Sequence, residues 1–205
     1  MRGLDDVAYP RELEQAIVLK DGIRVRSRPV RPDDADGLSR LYDRLSRTTA
    51  YQRFFKVYTR LPPEWAHEFA NVDYQRRLAI VAEHDAADGP ELIAVVRYEP
   101  SDEPDTGEVA LVVQDDWQGK GLGSRLLRDL LAAAEARGIH RFCAYVLVGN
   151  DRMLGLLSRL TIVEKRAIDS GVVTVTFTRP KPTPGVSPWN DCFDLEQHGA
   201  RPRSP

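Results

Sequence analysis

The sequence predicts an α/β (α+β) protein with one domain, in which a mixed, mostly antiparallel central sheet carries helices on both faces. The first observation is that short apolar runs at 78–82, 92–96 and 108–113 follow one another through polar connections, as in an antiparallel meander. The second is an amphipathic helix starting near Ser124, whose crossover to the apolar run at 141–148 predicts a parallel strand pair. One sheet must therefore contain both strand orientations.

Local signals place the other elements along the chain. Residues 9–19 are predicted to form a short helix, and apolar residues that alternate with arginines over 23–28 predict a half-buried strand. Pro32 opens a helix whose apolar face extends to Leu45, and Pro62-Pro63-Glu64 opens another. The remaining elements are a helix capped by Asn150 or Asp151 and two strands at 162–168 and 172–178.

Composition divides the chain into three parts. Residues 1–20 form an N-terminal lead-in, residues 21–179 form the domain, and residues 180–205 form a proline-rich tail that is predicted to be disordered. With 205 residues, of which 42% are hydrophobic, the chain is long enough to bury one core.

Charge and cysteine content exclude several classes of function. A net charge of −2 argues against a nucleic-acid-binding protein, which would carry a basic excess. The two cysteines form no disulfide framework and the four histidines show no metal-ligand spacing, so we expect a reducing, cytoplasmic setting and no metal. The N-terminus lacks a signal-peptide pattern and the longest apolar run, 142–148, is too short to span a membrane. We expect neither nucleic acid nor a membrane as a partner.

A glycine-rich turn, Gln118-Gly119-Lys120-Gly121-Leu122-Gly123, connects an apolar strand to the long amphipathic helix. Such glycines allow positive φ and close approach of a ligand, and the unpaired N–H groups at a helix start attract phosphate. A Walker loop is disfavoured because Lys120 is followed by Gly121 instead of Ser or Thr. A dinucleotide fingerprint is disfavoured because Ser124 replaces its third glycine and no acidic residue follows about 20 positions later.

The loop and its flanking elements resemble the acyl-CoA motif of the GNAT superfamily of N-acyltransferases, in the form found in bacterial protein-lysine acetyltransferases. The resemblance spans residues 9–178, in the right order. The matching stretches are Arg28-Pro29-Val30-Arg31-Pro32-Asp33-Asp34-Ala35, Leu45-Ser46 through Tyr51 to Arg53-Phe54-Phe55, Asp115-Asp116-Trp117-Gln118-Gly119-Lys120-Gly121-Leu122-Gly123, and Asn150-x-x-Met153-Leu154. This ordered set is a stronger indication than the loop alone.

The resemblance implies a GNAT-type domain in which a parallel strand pair splays apart and holds the pantetheine arm of acetyl-CoA. Backbone groups of Val112 and Val113 would pair with that arm, and an N–H near Val113 would stabilise the developing oxyanion. Lys120 and Arg125 would add charge near the phosphates, or else are solvated surface charges. Asn150 is expected at the arm and is also a plain helix N-cap. The expected co-substrate-binding residues are Val112, Val113, Gln118, Gly119, Lys120, Gly121, Leu122, Gly123, Ser124 and Asn150.

Glu108 is the candidate catalytic residue, as general base. A lysine of pKa about 10.4 costs roughly 4–5 kcal/mol to deprotonate at neutral pH, and a positioned carboxylate can take that proton. Glu108 shares the strand alternation of Ala110 and Val112, which points it toward the cleft, and it matches a glutamate of the bacterial lysine acetyltransferases. The alternative is an exposed residue at a strand start after Gly107.

Three further features concern the acceptor side and the leaving group. In this family the segment 46–60 helps to wall the acceptor site, but we expect Phe54 and Phe55 to fill the core and the arginines there to be solvated. Residues 153–160 lack the family's tyrosine acid, so thiolate departure needs no side-chain acid or uses water. Leu160-Thr161-Ile162 replaces the usual Leu-Gly-Phe and is expected to alter the turn into the next strand.

The leading hypothesis is an N-acetyltransferase that moves an acetyl group from acetyl-CoA to a primary amine, chiefly a protein lysine, by direct attack. A small-amine acetyltransferase is the close alternative. A non-catalytic acyl-CoA-sensing module is the alternative from another class; the missing tyrosine favours it, whereas Glu108 favours an enzyme. The expected partners are acetyl-CoA and a protein lysine or small amine, and a monomer or homodimer is expected.

Overall fold

The computed structural model describes residues 8–103 and 105–181. In this part of the chain eight strands form one sheet and five α-helices pack against it. The strands are β1 (Gln15–Val18), β2 (Arg24–Pro29), β3 (Leu78–Ala86), β4 (Gly89–Pro100), β5 (Thr106–Val113), β6 (Arg141–Leu147), β7 (Ile162–Asp169) and β8 (Val172–Thr178). The helices are α1 (Ala35–Asp43), α2 (Arg47–Phe54), α3 (Pro63–Ala70), α4 (Leu122–Glu135) and α5 (Asp151–Leu160).

The sheet is mixed and mostly antiparallel, which confirms the predicted fold class. Its strand order is β1-β2-β3-β4-β5-β6-β8-β7, and every neighbouring pair is antiparallel except β5 with β6. The β3–β4 pairing continues to Ala86 opposite Gly89, so this hairpin loop is shorter than the polar connection between the apolar runs 78–82 and 92–96. The extra pairs lengthen the meander that supports β5.

The structure corrects the prediction for residues 9–19. Instead of one helix, this segment contains a 3-10 turn at Arg11–Leu13 and then β1, which pairs with β2. Ile17 and Leu19 alternate into the core, and pairing with β2 supplies the backbone hydrogen bonds that a helix would have made. The first strand of the sheet thus lies inside the predicted lead-in.

The structure also shows a helix in the segment 46–60, where the sequence indicated none. Helix α2 begins after Ser46, whose hydroxyl accepts a hydrogen bond from the backbone N–H of Thr49 at 3.1 Å. The helix is only eight residues long and has no clear apolar stripe, so its periodicity is weak in the sequence. Its stability depends on the cap and on tertiary contacts.

Helices cover both faces of the sheet, as predicted. On one face α1 and α3 pack over β3 and β4, with Leu38, Leu41 and Ala70 buried against Val81. On the other face α4 and α5 close the main core. Leu126, Leu127, Leu130 and Leu131 of α4 are fully buried there.

The parallel pair β5–β6 diverges after only three residue pairs. Thr106, Gly107 and Glu108 lie opposite Arg141, Phe142 and Cys143. Beyond these pairs, residues 109–113 stay on β4 while residues 144–147 stay on β8. The predicted splay is therefore confirmed, and it opens a cleft between two halves of the sheet.

The last two strands form the predicted hairpin. Thr161, which stands in place of the expected glycine, donates its hydroxyl to the Leu157 carbonyl at 2.6 Å and ends α5. Apart from residues 180–181, the predicted tail at 180–205 lies outside the described residues, as do residues 1–7 of the lead-in. None of the helices in the described part of the chain is long and apolar enough to cross a membrane.

Candidate active site

The glycine loop forms the mouth of the cleft, and its conformation depends on two of its glycines. Gly119 and Gly121 have φ of +77° and +89°, a region that side chains rarely adopt. Helix α4 begins at Leu122, two residues before the predicted start. Gly123 is different, because a Cβ added there would lie 3.4 Å from Leu111 Cδ2, an ordinary contact.

The start of α4 has the chemistry of an anion site. The first N–H groups of a helix have no partner within it, and they carry positive partial charge. No acceptor among the described residues bonds to the backbone N–H groups of residues 119–124. Phosphate oxygens are suited to this position.

The Gln118 side chain connects the loop to its surroundings. Its amide nitrogen donates to the Val113 carbonyl at 2.9 Å and to the Thr49 hydroxyl at 3.3 Å. Its amide oxygen accepts a hydrogen bond from Arg152 at 2.5 Å. Arg152, at the start of α5, was not among the predicted site residues, because only the crossover brings it to the loop.

Lys120 and Arg125 are neither freely solvated nor directed at the loop. Lys120 Nζ lies 2.9 Å from Asp21 Oδ2 and stacks on the Trp117 ring. Arg125 bonds to Asp129 and Gln15, and so joins α4 to β1. Both side chains are held in ion pairs in this structure.

The residues predicted to contact the co-substrate arm differ in what they present to the cleft. The Gln114 N–H donates to the Ile93 carbonyl at 2.9 Å. Hydrogen-bonded positions alternate along an antiparallel strand, so the backbone groups of Val112 also bond to β4. The backbone groups of Val113 therefore point away from β4, into the cleft. The alternation thus favours Val113 for backbone contact with a ligand. Val112 instead buries its side chain on the Glu108 face. Asn150 caps α5, accepting from the Met153 N–H at 3.2 Å.

Glu108 lies where β5 and β6 part. It is opposite Glu99 on β4 and Cys143 on β6, and it is half-buried. Burial raises the pKa of Glu108, the Arg53 charge lowers it, and the nearby Glu99 raises it again, with a net increase. A carboxyl with a raised pKa in a cleft is suited to accept a proton.

The acceptor side differs from the sequence expectation at two positions. Arg53 is half-buried and close enough to Glu108 for charge interaction, so it is not simply solvated. Phe55 is 40% exposed with φ of +57°, which contradicts the core expectation. Phe54 does pack inward, edge-on to Tyr42 at 5.3 Å between ring centroids.

Two side-chain hydroxyl groups are relevant to the tyrosine general acid that residues 153–160 lack. Ser158 donates to the Leu154 carbonyl at 2.7 Å and accepts from Arg166 at 2.6 Å, so it is already engaged. Tyr145 lies on the same face of β6 as Cys143, in the part of the strand that has diverged from β5. Its side chain is 43% exposed. No sequence motif marks Tyr145, because its position relative to Glu108 depends on strand register. The described residues contain no His, Cys, Asp and Glu cluster suited to a metal ion.

Comparison with known proteins agrees with this geometry. The family model described as the acetyltransferase (GNAT) family matches residues 40–161, more than half of the chain. Acetyltransferase Pat of Mycolicibacterium smegmatis is 38% identical over 155 residues, and the match covers 75% of this chain but 45% of that protein. An acetyltransferase of Pseudomonas aeruginosa is 29% identical over 158 residues, covering 77% of this chain and 84% of that protein.

A solved structure is similar over nearly the whole described chain. The GNAT domain of S. lividans PAT superposes with a TM-score of 0.74 at 37% identity, covering 83% of this chain and 99% of that domain. Fold, cleft and relatives together show an acyl-CoA-dependent N-acetyltransferase. The chain belongs to the acetyltransferase (GNAT) family.

Proposed function

We propose that this enzyme transfers an acetyl group from acetyl-CoA to a primary amine, with a protein lysine as the favoured acceptor. The carrying observation is Glu108, a half-buried carboxyl with a raised pKa at the point where the parallel strands part. The lysine preference rests on the motifs shared with bacterial protein-lysine acetyltransferases. A small amine is the alternative acceptor.

The residues of the cleft fit acetyl-CoA. Unpaired N–H groups at residues 119–124 suit the pyrophosphate, and the cleft-facing backbone edge of residues 109–113 suits the pantetheine arm, although the Val113 carbonyl already accepts from Gln118. Gln118 and Asn150 would hold the arm at the mouth and at α5. Bound acetyl-CoA supplies an activated thioester carbonyl to this site.

In the proposed reaction Glu108 takes the proton of the acceptor ammonium, directly or through water. The neutral amine then attacks the thioester carbonyl, the carbon–sulfur bond breaks, and coenzyme A leaves as a thiolate. The new carbon–nitrogen bond becomes an amide when the nitrogen releases its second proton, which balances the proton that the thiolate takes up. The Val113 N–H donates to the carbonyl oxygen as charge develops on it. Because the Ser158 hydroxyl is already hydrogen-bonded, water or the exposed Tyr145 protonates the thiolate in this proposal.

The first test separates co-substrate binding from chemistry. Acetyl-CoA should raise the melting temperature, since a ligand that binds only the folded state stabilises it. Glu108→Gln should keep that shift and lower kcat by about 10²-fold or more toward lysine-containing proteins. Glu64→Gln, at an exposed position of α3, should change neither.

The outcomes are distinct. No shift at millimolar acetyl-CoA would refute the binding site, and an unchanged kcat in Glu108→Gln would refute the general base. Turnover of small amines but no lysine protein would favour the small-amine alternative. A shift without turnover of any amine would favour the acyl-CoA-sensing module.

A further inference from the structure

Strand β7 is an outer strand of the sheet and is exposed along almost its whole length. In the described part of the chain it has a neighbouring strand, β8, on one side only. Of its eight residues Val163 is partly covered and the others are exposed. Ile162 and Ile168 are 55% and 71% exposed. A long exposed edge strand with apolar side chains is a surface to which a further strand can be added.

The hairpin geometry determines which backbone groups of β7 face the open edge. The two-residue turn Ser170-Gly171 joins β7 to β8, and its residues have φ of +49° and +81°. The residues that flank such a turn exchange hydrogen bonds, and bonded positions then alternate along the strand. Asp169 and every second residue before it therefore bond to β8. The N–H and C=O groups of Arg166 and Ile168 point to the open edge.

Two features that usually protect an edge strand leave this one available. A β-bulge makes an edge irregular, but here it lies between Val163 and Lys165, so residues 165–169 form a regular stretch beyond it. An edge lysine repels another strand unless a carboxylate faces it. Lys165 and Asp169 are both exposed and project from the same face of β7, four residues apart. The stretch therefore carries one charge of each sign, placed symmetrically about Ala167.

We propose that β7 pairs with β7 of a second copy of this chain, antiparallel, with Ala167 on the two-fold axis. In this register the outward backbone groups of Arg166 meet those of Ile168 of the partner subunit, and the reverse, which gives four N–H···O=C bonds. Lys165 lies opposite Asp169 of the partner subunit, twice by symmetry. The two Ile168 side chains lie at diagonal positions beside the axis and cover each other.

The neighbouring registers and the other open edge fit less well. An axis at Arg166 places two like charges directly opposite each other, which is destabilising. An axis at Ile168 places Lys165 opposite Gly171 of the partner subunit, without a carboxylate. The open edge of β1, Gln15–Val18, has no acidic residue to face Lys165. Pairing of β7 with that edge would also be head-to-tail, and it would build open-ended chains instead of a closed dimer.

The two-fold pairing joins two eight-stranded sheets into one continuous sheet. The cleft between β5 and β6 stays open in both copies, because β6 and β8 separate it from the new junction. The proposal does not rest on the proposed function. Since the contact is a short strand pair, we expect a weak dimer with a Kd of about 10⁻⁵ to 10⁻⁴ M.

Sedimentation velocity of the full chain from about 5 to 500 µM tests the pairing, and wild type should change from monomer to dimer over this range. Lys165→Asp should weaken the dimer roughly 10-fold, because it places two carboxylates opposite each other. Asp169→Lys should do the same with two ammonium groups. The double variant exchanges the charges and should restore the wild-type Kd. Lys56→Asp makes the same charge change at an exposed position outside β7 and should dimerise like wild type.

Three results of that series would overturn the proposal: a monomer at every concentration, a dimer unaffected by Lys165→Asp, or a double variant that stays monomeric. Growth beyond the dimer would indicate pairing of β7 with β1 and would overturn the two-fold register. Hydrogen exchange then identifies what covers the edge. Protection of the Arg166 and Ile168 amides should increase with protein concentration. Protection that is independent of concentration would mean that another segment of the same chain, such as residues 182–205, covers the edge, and it would overturn the proposal.

Discussion

At the residue scale, the position of Glu108 in the sheet explains the raised pKa of its carboxyl group. A strand-start glutamate is usually solvated, but here the divergence of β5 and β6 leaves it half-buried between Glu99 and Cys143. Burial raises its pKa and Arg53 limits the increase. Burial, which would suit Glu108 for the proposed proton transfer, also means that its charged form destabilises the folded state.

The raised pKa of Glu108 predicts a trend of stability with pH. In the unfolded chain this carboxyl titrates near its ordinary 4.5, whereas the folded protein holds the proton more tightly. The free energy of unfolding should therefore fall as pH rises from about 4.5 through the folded pKa. Glu108→Gln removes this titration, so the melting temperature of the variant relative to wild type should rise as the pH increases from about 4.5 through the folded pKa. Calorimetry that finds no such gain would contradict the raised pKa.

A second residue-scale prediction concerns the buried ion pair of Arg28. Its guanidinium bonds to both oxygens of Asp34, at 2.7 and 2.8 Å, and to Glu83 at 2.9 Å. Asp34 also accepts from the Arg31 N–H in the turn just before α1. Asp34→Ala should lower the free energy of unfolding by about 1.5–3 kcal/mol, because it removes the bidentate charge-assisted bonds and leaves the buried Arg28 with Glu83 as its remaining carboxylate.

The neighbouring Asp33 provides the matched control, since it is exposed and belongs to the same sequence motif. Asp33→Ala should change the free energy of unfolding by less than about 0.5 kcal/mol in urea titrations. Equal losses in the two variants would refute the ion-pair explanation. The motif 28–35 is thus explained here by folding and not by catalysis.

At the element scale, α2 and the loop after β5 are joined by one carboxylate. Asp115 accepts hydrogen bonds from the Ser46 N–H at 2.9 Å, the Ser46 hydroxyl at 2.7 Å and the Thr49 hydroxyl at 2.8 Å. Burial by itself raises the pKa of Asp115, but together these hydrogen bonds outweigh it and hold the pKa below its usual range. Two motifs almost seventy residues apart in sequence therefore form one structural unit, which connects α2 to the turn that leads into the glycine loop.

Asp115→Ala should release α2 from this loop. We expect a loss of roughly 1–2 kcal/mol in the free energy of unfolding, because Asp115 is partly solvated, and faster amide hydrogen exchange in residues 47–54. Asp116→Ala, at the exposed adjacent position, should leave both quantities close to wild type. Unchanged exchange in α2 after Asp115→Ala would show that other contacts hold the helix.

At the scale of the whole molecule, the sheet consists of two halves joined by a short parallel contact. β1 to β5 form one half and β6 to β8 the other, and three residue pairs connect them. Helix α4 spans the junction, because the chain crosses over it from β5 to β6. The backbone edges inside the cleft are left without strand partners.

Acetyl-CoA binding should therefore protect both inner edges at once. We expect slower hydrogen exchange at the outward amides of 109–113, at 144–147 and at the start of α4, with β1 and β7 unaffected. Exchange measured by mass spectrometry with and without acetyl-CoA checks this expectation. Protection of the α4 start alone would mean that the ligand contacts the loop and does not enter between the strands.

The sequence by itself determined the fold class, the strand meander, the crossover and the glycine loop. These features depend on local signals: alternation over β3–β5, an amphipathic α4, and glycines that permit positive φ. Glu108 was predicted in the same way, by its strand phase and the family motif, and its role as general base stays a prediction. The short segments were missed, since β1 and α2 are stabilised by pairing and capping more than by their own periodicity.

Only the tertiary structure decided which side chains meet. Strand register placed Glu99 and Cys143 opposite Glu108, and helix packing brought Arg53 and Arg97 into one cavity. Those placements determine the pKa shifts and the ion pairs of Lys120 and Arg125. They also leave the Arg97 Nε–H without an acceptor among the described residues. The physical reason is that burial and Coulomb interaction depend on distances in space between residues that are far apart along the chain.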